Sequence, residues 1–145
     1  MDFIIALDPG RDKCGLLLAD LVNSAVIEAY ILKVSAVSNF VRKWQEKYSV
    51  KLIIIGNGTN SFYWVNEFAT FSNLNVKVVE EAGTTFRARH RYWEIVPPGL
   101  LFRWLPRGLL PPPSNLDSIA ALVLLEDYLS KKLEWAAEVN LKILP

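Results

Sequence analysis

The chain has 145 residues, 52% of them apolar and 21% charged, with a formal net charge of +1. This composition excludes a disordered chain, and the length is that of one compact domain, here residues 1–145, burying roughly two thirds of its unfolded surface on folding. Cys14 is the only cysteine, which excludes an internal disulfide and fits a reducing compartment.

No window approaches the length of a membrane span, and the apolar stretch Phe3 to Leu7 is too short for a signal peptide, so the sequence predicts a cytoplasmic protein with no membrane partner. The near-zero net charge hides an uneven distribution. Five of the seven arginines (Arg87, Arg89, Arg91, Arg103 and Arg107) fall in a stretch whose single carboxylate is Glu94. A cationic segment of this kind suits phosphate contact.

Phe3 to Leu7 reads as a buried strand that ends at Asp8-Pro9-Gly10. Cys14–Asp20 and Ala25–Lys33 read as a hairpin around Val22-Asn23-Ser24. From Ser35, Val37, Phe40, Val41, Trp44 and Tyr48 recur at spacings of three and four, which predicts an amphipathic helix with a serine cap. Lys51–Ile55 reads as a strand closing at Gly56-Asn57-Gly58-Thr59, and Phe62, Val65, Phe68 and Ala69 mark a second helix. Val76–Val79 reads as a short buried strand running into Glu80-Glu81, and Thr84 as the cap of a helix through Trp93. The segment 97–113 is too rich in proline to be regular and too apolar for a linker, so it reads as an ordered loop packed on the body of the domain or on a partner, a homodimer being the candidate. Asp117 opens a last helix that is apolar nearly all round over Ile119–Leu125 and should be deeply buried. The tail 134–145 is ambiguous.

Right-handed crossovers place the fourth strand parallel to the first and the fifth beside it. The expected fold is α/β, a five-stranded mixed sheet of order 3-2-1-4-5 flanked by helices. In such sheets sites form beyond the carboxyl ends of the parallel strands. Asp8, Glu81 and Asp117 arrive there from three remote segments. One intervening strand puts about 10 Å between the Asp8 and Glu81 backbones, a gap that suits metal ions and not direct carboxylate contact. Gly56 would leave room there for ions and a phosphate. Clustered carboxylates repel one another until a divalent cation with oxygen ligands joins them, so Mg2+ or Mn2+ is the expected occupant. Two such ions about 3.5 to 4 Å apart serve phosphodiester hydrolysis. Glu80 and Glu81 alternate faces if they lie in a strand, and His90 is read as packed or solvated.

Four segments in order resemble the YqgF/RuvX family of Holliday-junction-resolvase-like nucleases: Ala6-Leu7-Asp8-Pro9-Gly10 with Lys13-Cys14-Gly15; Ile53-Ile54-Ile55-Gly56; Glu80-Glu81 with Thr84-Thr85 and Arg89; and Leu116-Asp117-Ser118-Ile119-Ala120-Ala121. The resemblance implies a ribonuclease H-like fold with Asp8, Glu81 and Asp117 as metal ligands and catalytic acids. It implies RNA or branched DNA as partner, through maturation of the small-subunit ribosomal RNA precursor or Holliday-junction resolution, leaving a 5′-phosphate and a 3′-hydroxyl. The candidate substrate contacts are Gly10, Lys13, Gly56, Thr84, Arg87, Arg89 and Arg91. The family's arginine after the second acid is replaced by Ala82. That replacement carries the alternative expectation, a nucleic-acid-binding or ribosome-assembly module with weak turnover.

Overall fold

A computed structural model describes residues 2–58, 60–81, 83–95 and 116–135. The first strand, β1 (Phe3–Asp8), is apolar throughout because both of its faces are covered: Ile5 and Leu7 point to one layer of helices, Ile4 and Ala6 to another. It pairs antiparallel with β2 (Lys13–Asp20), which pairs antiparallel with β3 (Ala25–Lys33). The turn between β2 and β3 is held by the Asp20 carboxylate, which accepts from the Val22 and Asn23 amides at 2.8 and 3.2 Å and from Asn23 Nδ2 at 2.6 Å.

Helix α1 (Val34–Tyr48) crosses to β4 (Leu52–Gly56), α2 (Ser61–Phe68) leads to β5 (Asn75–Val79), and α3 (Thr84–Ile95) and α4 (Asp117–Leu129) follow. Strands β4 and β5 run parallel to β1, and a two-residue strand β6 (Glu134–Trp135) adds beside β3. The sheet order is β5-β4-β1-β2-β3-β6. The expected five-strand order therefore stands, extended by one strand that falls in the ambiguous tail.

One core joins Leu16, Leu18, Ile53 and Ile55 to Val37, Val41 and Trp44 of α1 and to Trp64 and Phe68 of α2. The opposite core joins Leu17, Ala19 and Ile54 to Ala121, Leu122, Leu124 and Leu125 of α4. Helix α3 lies on the outside of α4 through Ala88, Ile119, Ala120 and Val123. That second contact explains why α4 is buried at every position from Ser118 to Leu125.

Four local expectations need correction. Ser35 lies inside α1, whose N-cap is Lys33 with no side-chain cap hydrogen bond. Helix α3 begins at Thr84, and its first turn closes on the Gly83 carbonyl, which accepts from the Arg87 amide at 3.1 Å. Phe62 is 77% exposed, because Trp64 and Phe68 set the buried face of α2. Strand β5 is an edge strand, not a buried one: Val78 is exposed because no described strand pairs on its outer side. The aromatic loop at 97–113 and Arg103 and Arg107 lie outside the described residues.

Candidate metal centre

Asp8 ends β1 directly opposite Gly15 of β2. Its other neighbour is set by the Leu7–Ile55 pair, which brings Gly56 of β4 level with Asp8. Side chains alternate along strands, so Asp8 shares the face of Ile4 and Ala6, on which α4 packs. The carboxylate is thus flanked on both sides by residues without side chains. The chain then turns tightly at Gly10, where a Cβ would lie 2.2 Å from the Lys13 carbonyl oxygen. Asn60 Nδ2 donates to the Gly10 carbonyl at 3.3 Å, tying the start of α2 to this turn.

Glu81 follows β5, two residues after Val79, which pairs with Gly56. Its side chain lies over Gly56: a Cβ there would be 2.0 Å from Glu81 Oε1, and one on Gly58 would be 3.4 Å from Oε2. From this position Glu81 hydrogen-bonds the Asp8 carboxyl directly. The expected gap between the two acids is therefore closed. The strand spacing holds, but the glutamate side chain reaches across the empty surface of Gly56 and occupies the room expected for ions and phosphate.

A proton is what lets two carboxyls touch. Burial, then the hydrogen bond and charge of Glu81, then the charge of Asp117 push the Asp8 pKa up to about 8. Asp117, the first residue of α4, is also raised, by burial, against the opposing charge of Lys13. Asp117 is close enough for its charge to act on Asp8. Its backbone rests on Gly15, where a Cβ would fall 1.8 Å from the Asp117 carbonyl oxygen. Cys14 lies behind the site; burial pushes its thiol up to about 11, opposed by a hydrogen bond from the Gly10 backbone.

Among the described residues, no group of three His, Cys, Asp or Glu closes into a metal-binding cluster. Asp8 and Glu81 touch, and Asp117 stands at electrostatic range. The donor set is nonetheless made only of carboxylate oxygens, the ligands preferred by Mg2+ and Mn2+.

The cationic candidates divide. Lys13 acts on Asp117. Thr84 opens α3. Arg87 donates to Asp127 of α4 at 2.6 Å. Arg91 is built into the α3–α4 contact: Nε and Nη2 donate to Glu126 at 3.1 and 3.0 Å, Nη2 also to the Leu133 carbonyl at 2.7 Å, and Nη1 to Glu94 at 3.2 Å. Four-residue spacing puts Arg87 and Arg91 on one helix face, and that face meets α4. Arg89 belongs to another face, with Nε buried and without a hydrogen-bond partner among the described residues. A cleft of about 540 Å³ between α3 and α4 is lined by none of the three acids, and much of its lining is neutralised by these ion pairs. A smaller cleft of about 190 Å³, lined by Pro9, Gly10, Arg11 and Asn60, lies beside the Asp8 turn.

In the sequence Gly15 figures only as part of Lys13-Cys14-Gly15, with no role of its own. Its signal was present, since a glycine inside an apolar strand marks a close backbone approach.

No family profile and no curated protein matches the chain. Solved structures do. Thermus thermophilus RuvC in complex with a Holliday junction substrate is 15% identical, with a TM-score of 0.51 over 86% of this chain and 90% of that one. A structure of Thermus thermophilus RuvC is 10% identical, with a TM-score of 0.54 over 90% of this chain and 98% of that one. Sheet order, helix layers and this likeness together show that the chain has the ribonuclease H-like fold of RuvC.

Proposed function

We propose that this protein is a divalent-metal-dependent nuclease of the YqgF/RuvX type that hydrolyses phosphodiester bonds in structured nucleic acid, either a ribosomal RNA precursor or branched DNA. One observation carries the reading: Asp8 from β1, Glu81 after β5 and Asp117 from α4 come to a single edge of a ribonuclease H-like sheet, two of them in contact. No structural economy explains that placement. Three buried or half-buried acids destabilise the apo fold, a cost that proteins retain at functional sites.

Asp8, Glu81 and Asp117 would hold Mg2+ or Mn2+. Bound there, such an ion supplies charge neutralisation at the scissile phosphate and activation of water. The chain's own part is to release the proton that burial and Glu81 hold on Asp8, which frees its carboxylate as a ligand. Lys13, whose charge acts on Asp117, and Gly10 at the adjoining turn are the phosphate contacts we assign beside the acids, and Arg89 is the α3 arginine outside the ion pairs with α4. Thr84 and Arg87 stand at the start of the same helix. Arg91 is committed to Glu126, which assigns it to the α3–α4 contact.

A nucleic-acid-binding module without turnover is the second reading, favoured by Ala82 and by the closed Asp8–Glu81 contact. One experiment separates the two. A labelled four-way DNA junction and a labelled precursor ribosomal RNA are incubated with the protein in Mg2+ or Mn2+. Cleavage of either, abolished in Asp8→Asn and Asp117→Asn proteins that still fold, establishes the nuclease. Binding without cleavage establishes the module.

A further inference from the structure

Asp8 and Gly15 form a direct cross-strand pair, so a side chain on Gly15 would project on the same face as the Asp8 carboxylate. That face carries α4. A Cβ built on Gly15 would stand 1.8 Å from the Asp117 carbonyl oxygen, 2.2 Å from its carbonyl carbon and 2.8 Å from the Ser118 amide nitrogen. All three are backbone atoms of one helical turn. No change of rotamer relieves such an overlap; the turn itself must move, by roughly 1.5 Å to regain ordinary contact. Gly56 differs in kind, because what lies over it is the side chain of Glu81.

The rest of α4 is held independently of this contact. Leu122, Leu124 and Leu125 are packed against the sheet, and Ile119, Ala120 and Val123 against α3. Ser118, next to the overlap, is fully buried, and among the described residues its hydroxyl has no hydrogen-bond partner. The helix body is therefore anchored by its apolar surface, while the depth of its first turn is set at Gly15.

We infer that Gly15 is a positioning residue for the metal centre: its missing side chain lets the first turn of α4 seat on β2 at the rung of Asp8, which sets the reach of Asp117 toward the Asp8–Glu81 pair. The inference rests on the nuclease reading for the identity of the ligand, but its geometric half does not. Ligating groups tolerate misplacement of only about 0.5 Å, so a retreat of the turn should cost affinity even when the helix stays docked.

The test uses the full chain and Mn2+ alone. In Gly15→Ala we expect cooperative unfolding to survive, Asp117 to shift away from Asp8 in a crystal structure, and Mn2+ affinity by calorimetry to fall about tenfold or more. Adding Asp117→Glu to that variant should recover affinity, because one more methylene spans the retreat, whereas Asp117→Glu alone should weaken binding. Leu125→Ala, which loosens α4 far from its first turn, should keep the affinity of the unaltered chain. Unchanged affinity in Gly15→Ala overturns the inference, as does a loss that Asp117→Glu does not relieve. Collapse of cooperative unfolding overturns it too, since Gly15 would then hold the sheet and not one turn. If the unaltered chain binds no Mn2+, the nuclease reading fails; Gly15 is then judged by the position of Asp117 alone, and an unmoved Asp117 refutes it.

Discussion

Replacing Asp8 by asparagine should stabilise the metal-free protein, and by an amount that depends on pH. An unfolded aspartate loses its proton near pH 3.9, while burial and the neighbouring Glu81 hold the folded Asp8 pKa at about 8. Between these values the folded chain binds a proton that the unfolded chain lacks, so stability falls as pH rises through the window from about 4 to about 8. At about 1.4 kcal/mol per pH unit, the ceiling on this loss is about 6 kcal/mol. Solvent entry reduces it, and we expect about 2–4 kcal/mol at pH 8.5. Asparagine is isosteric, carries no charge, and its amide can donate to Glu81. Urea unfolding at pH 8.5 should therefore show Asp8→Asn more stable by that amount, with a melting temperature roughly 4–12 °C higher for a domain of this size. At pH 4.5 the advantage should shrink to about 1 kcal/mol or less, because folded Asp8 is then protonated. An advantage equal at both pH values, or a destabilised variant at pH 8.5, would refute the account of a proton held on Asp8.

Four further outcomes follow from the same geometry. Saturating Mn2+ should raise the melting temperature of the unaltered chain, by about 2.7 kcal/mol of stability at one hundred times the dissociation constant, more at pH 8 than at pH 6, and not in Asp117→Asn; a scan with no metal-dependent shift would count against the metal centre. In Gly56→Ala the new Cβ should displace Glu81, so the Asp8 titration followed by NMR should move down toward the ordinary carboxylate range, at a stability cost of about 1–3 kcal/mol. Arg91→Ala removes the partner of the largely buried Glu126 and should cost about 3 kcal/mol in denaturant unfolding, whereas Arg87→Ala, whose pair with Asp127 is about half exposed, should cost under about 1 kcal/mol; equal losses would contradict the division between them. Cys14, buried and with its thiol pushed up to about 11, should react with a thiol reagent at pH 8 only as fast as the protein opens, so rapid labelling of the folded protein would contradict its burial.

Much of this molecule is legible along the chain. The apolar run of β1, the hairpin after it and the periodicity of α1 are local patterns, and right-handed crossovers convert their order into the sheet order without knowledge of any contact. The same reasoning brings Asp8, Glu81 and Asp117 to one edge, because Asp8 ends β1, Glu81 follows β5 and Asp117 begins α4, and the topology fixes the direction of each element. Side-chain reach is a different matter. That Glu81 lies over Gly56 and touches Asp8 depends on a surface left bare by one residue and filled by another from a different strand. That Arg91 serves Glu126 and not a phosphate depends on which face of α3 meets α4, a choice that periodicity within α3 leaves open.

The sequence by itself determined the elements, their order and the edge at which the acids gather, since these follow from backbone periodicity and chain direction. Only the tertiary structure decided which groups touch there: that the Glu81 side chain reaches over Gly56 to Asp8, and that the backbone of Asp117 seats on Gly15. Contacts of that kind are fixed by the packing of segments remote in the chain, where a single absent Cβ changes the outcome by more than an ångström.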